Sequence, residues 1–199
     1  MSTSLLLVLF NMQAQISSNK VIEDIPGMPY NTINCIYQDS DNFLWFGTNN
    51  GVARYDGYTF RVIGSTENLP AALPHPNIES IFEDSFGNIW IGTEAGMCIY
   101  LTNQEKIQNT PIIFEKDIAE IDRYEEHVCN FLQLNDSVML IGTNYGLLVA
   151  QFIAEASTGR YRIDYTKILN LSQFNKKESK AIVSTYKGTD GRIWDSHTK

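Results

Sequence analysis

The sequence predicts an all-β fold of short antiparallel sheets, and three observations carry the prediction. A pattern of 23 residues recurs along the chain. Bulky and small residues alternate within each copy, as half-buried strands require. Residues that favour tight turns stand at fixed places between the alternating runs.

The stretch "NFLWFGTNNGVARYDGYTF", residues 42–60, has turn signals at Asn49-Asn50-Gly51 and at Asp56-Gly57. Aligned on Trp45, "INCIYQDSDNFLWFGTNNGVARY" (33–55) matches "IESIFEDSFGNIWIGTEAGMCIY" (78–100) without a gap, its anchor being Trp90, 45 residues on. A third copy, "VCNFLQLNDSVMLIGTNYGLLVA" (128–150), puts Leu140 in the anchor column, 50 residues further. A fourth, "IVSTYKGTDGRIW" (182–194), reaches Trp194 after another 54.

The columns assign the elements in order. Ile33, Ile78, Val128 and Ile182 open the first strand of each copy. Asp41-Asn42, Gly87-Asn88, Asp136-Ser137 and Asp190-Gly191 make the turn before the anchor. Gly47-Thr48, Gly92-Thr93 and Gly142-Thr143 follow it, and a glycine inside a strand points to close approach by a neighbouring element. Gly51, Gly96 and Gly146 supply the positive φ of a hairpin turn. Asp56-Gly57 reads as a further two-residue hairpin turn, leading into "YTFRVI". Each copy thus makes four strands, in the first copy 33–38, 43–48, 52–55 and 58–63.

One such sheet cannot bury both faces alone. Four-stranded sheets recurring at this interval are the signature of propeller blades stacked face to face, with Trp45 and Trp90 packed between blades. The expected fold is therefore a β-propeller fragment of about three four-stranded blades and the first half of a fourth. The blades span approximately 30–63, 76–116, 125–168 and 180–199 within an incomplete propeller over 15–199. The growing spacing puts length variation in 101–124 and 151–180. "RYRIDYTKI" is expected as the outer strand of the third blade, pairing with "LLVAQFI" across "EASTGR".

Composition limits the function. Of the 199 residues, 43% are hydrophobic and 12% aromatic, which is enough for a packed core. The net charge of −8 is spread along the chain, and no basic stripe is present to bind nucleic acid. Cys35, Cys98 and Cys129 lack the spacing of a metal motif and fall in strand-like runs, where a thiol acts as a small hydrophobe. A single disulfide with one leftover thiol is the alternative. "LLLVLF", Leu5 to Phe10, followed by Ala14 and Gln15, resembles the end of a secretory signal cleaved after Ala14. It lacks a basic start, since no Lys or Arg precedes Lys20, so residues 1–14 read as a shortened signal peptide. A buried first strand is the alternative. No segment of the mature chain is long and apolar enough for a transmembrane helix.

Catalytic chemistry is not indicated. The sequence has no G-x-S-x-G, H-E-x-x-H, C-x-x-C or phosphate loop. His75, His127 and His197 have no ligand partner at i+3 or i+4, so no metal and no cofactor are expected. "DSDN", Asp39 to Asn42, looks like the start of a calcium loop. Asn50 occupies the place of its final Glu, and turn chemistry accounts for it better. Glu125 and Glu126 read as solvated.

The repeat resembles that of the two-component regulator propeller family, V-x-x-I-x-x-D-x-x-G-x-[IL]-W-[IFV]-G-T-x-x-G-[LV]-x-x-[YF]-[DN]-G. Ile33, Ile36, Asp39, Leu44, Trp45, Phe46, Gly47, Thr48, Gly51, Val52, Tyr55, Asp56 and Gly57 fit it, and Ile78, Ile81, Asp84, Gly87, Ile89 through Thr93, Gly96 and Met97 fit it again. The lead-ins "GMPYNTI" and "LPHPNI" match as well. The third copy departs at Leu134 and Leu140, and the fourth at "WDSHTK".

The resemblance implies two seven-bladed propellers, a sandwich domain, a membrane span, a histidine kinase, a receiver and a DNA-binding domain in full-length relatives. This chain looks like the first part of such a sensor, cut short and prone to aggregate. The implied function is periplasmic ligand sensing, with an oligosaccharide recognised and the signal passed across the membrane. Partners would be that ligand, the remaining blades and downstream sensor domains. No residue is singled out for ligand binding. A propeller-fold lyase or hydrolase fragment is the alternative, for which only His75 and His127 are candidates, and a non-functional truncated product is a third reading.

Overall fold

The computed structural model describes residues 28, 32–63, 73–109, 127–144, 146–155, 160–169 and 182–197. The signal-like segment 1–14 and Glu125-Glu126 lie outside the described residues, as does most of 101–124 beyond Asn109.

Fourteen strands account for almost all of the described chain. The first sheet holds β1 (Ile33–Gln38), β2 (Leu44–Thr48), β3 (Gly51–Tyr55) and β4 (Phe60–Ile63). The second holds β5 (Ile78–Glu83), β6 (Ile89–Thr93), β7 (Gly96–Leu101) and β8 (Lys106–Asn109), with one 3-10 turn (Thr102–Gln104) before β8. The third holds β9 (Val128–Asn135), β10 (Val138–Thr143), β11 (Gly146–Glu155) and β12 (Arg160–Leu169). A hairpin of β13 (Ile182–Lys187) and β14 (Ile193–His197) follows. Every pairing is antiparallel between sequence neighbours, so each repeat is one meander. The pairing expected between 147–153 and 160–168 is present as β11 on β12, through two strands of ten residues each. Part of the added length in the third copy therefore extends strands.

The first strands β1, β5, β9 and β13 touch one another in succession, so the sheets radiate from an axis lined by these inner strands. The joints between blades are the cores. Trp45 packs with Ile78, Ile81, Ile91 and Tyr100 of the second blade, and Trp90 with Val128, Phe131, Met139 and Ile141 of the third. Both indoles are 0% exposed. Each meets an aromatic ring of the next blade edge-on, Trp45 with Tyr100 at 5.5 Å and Trp90 with Phe131 at 5.8 Å. Leu140 takes over this place against Ile182. Trp194, on the last hairpin, is 52% exposed.

The repeat's small residues have separate causes. A Cβ on Gly47 would run into Ile78 of the next blade, and one on Gly92 into the Val128 carbonyl, which is the close approach the sequence predicts. Thr48 and Thr93 donate their hydroxyls to the Gly51 and Gly96 carbonyls at 2.8 Å, clamping the two-residue turn between the second and third strands.

One turn differs from expectation. Asp56-Gly57 is not a two-residue hairpin turn: Tyr55 pairs with Phe60, so 56–59 form a four-residue loop and the fourth strand starts at Phe60. The Asp56 carboxylate causes this by accepting the Tyr58 and Thr59 amides at 2.8 and 2.6 Å and the Thr59 hydroxyl at 3.0 Å.

Candidate functional site

The two rims of the inner strands are built differently. At one rim lie the turns before each anchor. There Ser40 donates its amide and hydroxyl to Glu83 of the next blade at 2.8 and 2.7 Å, while Ser85 donates its amide to Gln133 Oε1 at 2.8 Å and accepts the Gln133 side-chain amide on its hydroxyl at 2.9 Å. These are fastenings between blades.

The opposite rim gathers the chemistry. It is formed by the starts of the inner strands and by the turns between second and third strands. Two lead-in residues accept a backbone hydrogen bond from such a turn: Asn77 from the Glu94 amide at 3.2 Å, and His127 from the Asn144 amide at 3.2 Å. The second residue of every inner strand, Asn34, Glu79, Cys129 and Val183, is the extra residue of a β-bulge. A bulge breaks the in-out alternation and re-aims the side chain it carries.

At the joint of the second and third blades these devices bring Glu79, Glu94 and His127 together, with one donor atom from each lying within 4.8 Å of the others. Glu79 Oε1 lies 4.0 Å from His127 Nδ1, and Glu94 Oε2 lies 3.5 Å from His75 Nδ1. All four side chains are about one-third exposed, between 31% and 38%. His75 Nδ1 accepts the Asn77 amide at 3.1 Å, so its lone pair is already used. The Asn34 amide donates to Asn77 Oδ1 at 2.6 Å, and the Asn77 amide in turn donates to Glu94 Oε1, fixing that carboxylate from two blades.

Two cysteines border the cluster. Burial pushes the Cys35 thiol up to about 11, and the Glu79 carboxylate adds to this. Burial also raises the Cys129 thiol, again with Glu79 opposing the thiolate. Cys98 is fully buried, and all three cysteines are free thiols.

The sequence missed this gathering. His75 and His127 look isolated along the chain, yet each stands beside a glutamate. His197 lies on β14, apart from them in sequence and sheet. Asp39 serves the turn as expected, accepting the Asp41 and Phe43 amides, and it also binds the Trp45 indole at 2.7 Å.

Antiparallel four-stranded blades, stacked through a shared tryptophan position around inner strands, define the β-propeller class. Within that class, residues 27–50 and 72–95 match the family model described as two component regulator propeller, and the chain carries that repeat. No curated protein matches the chain. Among solved structures, it is similar to one described as the extracellular domain of the hybrid two component system BT3049 from B. thetaiotaomicron. That similarity has a TM-score of 0.57 at 16% identity, over 86% of this chain and 20% of that one. Two structures of the extracellular domain of BT4673 from the same organism align at 16% identity and a TM-score of 0.42, over 83% of this chain and 30% or 31% of theirs. The chain thus spans about a fifth of the length of BT3049's domain and shares its fold. Among the described residues, no helix is long and apolar enough to cross a membrane.

Proposed function

We propose that this chain forms part of the ligand-sensing propeller of a hybrid two-component regulator. In this reading it lies outside the inner membrane, recognises an oligosaccharide and contributes to signalling across the membrane. The observation that carries the reading is the match of two stacked blades to the two component regulator propeller repeat. The likeness in fold to the extracellular domain of a hybrid system supports it. Ligand sites on repeat scaffolds sit on loops held by rigid strands, and the rim with Glu79, Glu94 and His127 has that character.

The test is calorimetric titration of the complete chain with neutral and acidic oligosaccharides, alongside fractionation of cells producing it. Saturable binding of one saccharide class and recovery from the periplasm are expected. Recovery from the cytoplasm with no saccharide bound would overturn the reading.

A second reading, a propeller-fold lyase or hydrolase, draws on the closeness of His75 to Glu94 and of His127 to Glu79 at one rim. New reducing or unsaturated ends appearing in the same incubations would favour it.

A further inference from the structure

We propose that Glu79, Glu94 and His127 form a binding site for a divalent metal ion of the zinc type, joining the second and third blades at the rim of the inner strands. The three donors come from three separate places: the bulge in β5, the turn between β6 and β7, and the residue before β9. Two carboxylates and an imidazole are an N/O donor set suited to a first-row divalent ion, and the imidazole favours such an ion over calcium or magnesium. Two glutamates this close repel each other when ionised, and a dication between them turns that repulsion into attraction.

The distances fit. Donors around a four-coordinate zinc ion stand roughly 3.3 Å apart. The Glu79–His127 separation of 4.0 Å needs a contraction of about 0.7 Å, and the widest of the three pairs, within 4.8 Å, needs at most about 1.5 Å, which rotation of part-exposed glutamates supplies. Glu94 is also prepared for this role. Asn77, itself held by Asn34, takes one carboxylate oxygen and leaves the other for the ion. His75 is excluded as a donor through Nδ1, because that nitrogen accepts the Asn77 amide. Three protein ligands leave the fourth position open, the pattern of sites where water or an external ligand completes the shell. The ion would also bind the folded joint in preference to the unfolded chain, so it would stabilise that joint.

The experiment uses the complete chain, stripped with a chelator and titrated with zinc chloride in a calorimeter. One zinc per chain is expected, with a rise in thermal midpoint. Glu79→Gln, Glu94→Gln and His127→Gln should each weaken binding at least tenfold with an unchanged circular dichroism spectrum, while Cys129→Ser should leave binding unchanged. Cobalt(II) loading of the unmutated chain gives a second readout: bands of nitrogen and oxygen ligation without a thiolate charge-transfer band. Absence of binding to the folded chain overturns the proposal. So does binding that survives Glu79→Gln/His127→Gln, or a thiolate band. If a variant fails to fold, the cobalt spectrum of the unmutated chain decides alone.

Discussion

Asp39 stands six residues before Trp45 and accepts its indole N–H at 2.7 Å, with both side chains withdrawn from solvent. Asp84 and Trp90 repeat the arrangement at 2.9 Å. In each copy the other carboxylate oxygen accepts two amides of the intervening turn, Asp41 and Phe43 in the first and Phe86 and Asn88 in the second. One carboxylate therefore holds both the turn and the ring that fills the joint. Replacing Asp39 by Ala strands a buried indole donor and unties the turn, an expected loss of about 2–3 kcal/mol. Trp45→Ala should cost about 3–5 kcal/mol, because the ring is fully buried. Denaturant unfolding measures both, and a loss below about 1 kcal/mol for Asp39→Ala would contradict the double role.

The fourth copy offers the converse test. Gly188 occupies the aspartate position, and its turn keeps the same backbone bonds, Gly191 N–H to Gly188 O at 2.9 Å and Gly188 N–H to Arg192 O at 2.8 Å. A Cβ there would lie 2.8 Å from Asp190 Oδ1, which accepts the Arg192 amide, and 3.3 Å from the Trp194 indole nitrogen, so the site has no room for a second carboxylate. Gly188→Asp should therefore lower the thermal midpoint, with a loss of about 1–3 kcal/mol through overpacking. A rise in the midpoint would show that Asp190 gives way and that the new carboxylate takes the aspartate place of the first two copies.

The six-residue spacing of Asp39 and Trp45 is visible in the sequence, and so is the joint replacement of the pair by Leu134 and Leu140, yet only the fold shows that one binds the other. Trp45 and Trp90 betrayed the blade joints because a large ring recurring at a fixed interval needs a repeated apolar place. The Glu79–Glu94–His127 cluster left no comparable trace. Its members belong to two blades and to different elements, so spacing along one strand carries no information about them. The loop at Asp56-Gly57 departs from the two-residue turn that the dipeptide predicts because the Asp side chain takes the Tyr58 and Thr59 amides.

Gly92 tests the packing between blades. Its missing side chain makes room for the Val128 carbonyl and the Ser80 hydroxyl, which itself donates to that carbonyl at 2.9 Å. Gly92→Ala should destabilise by about 1–3 kcal/mol through overpacking. Hydrogen exchange should speed up in β6 and β9 while β1 to β4 keep their protection. A uniform change across all blades would argue against a local joint.

Alkaline pH should weaken the fold. Cys35 is held up to about 11 against a usual 9.0, and the buried Cys98 is pushed further in the same direction. A thiol raised on folding favours the native state below the unfolded value, and that contribution is lost as pH climbs from about 9 through the folded value. Unfolding free energy should therefore fall over this range, by at most about 1.4 kcal/mol per pH unit for each thiol. Thermal melts of the chain and of Cys98→Ala across this range measure it, and the variant should show the shallower slope. Identical slopes would assign the loss to other groups, such as Tyr37 and Tyr100, whose phenols burial also raises.

The bulge at the second residue of each inner strand separates two jobs that an unbroken strand would confuse. Beyond it the pleat resumes in register with the tryptophan joints, whatever side chain the bulge carries. Asn34, Glu79 and Cys129 are chemically unlike, yet they occupy the same place in successive blades. The rim can thus change its chemistry one blade at a time while the stack beneath stays as it is, leaving a set of interchangeable positions on a fixed frame.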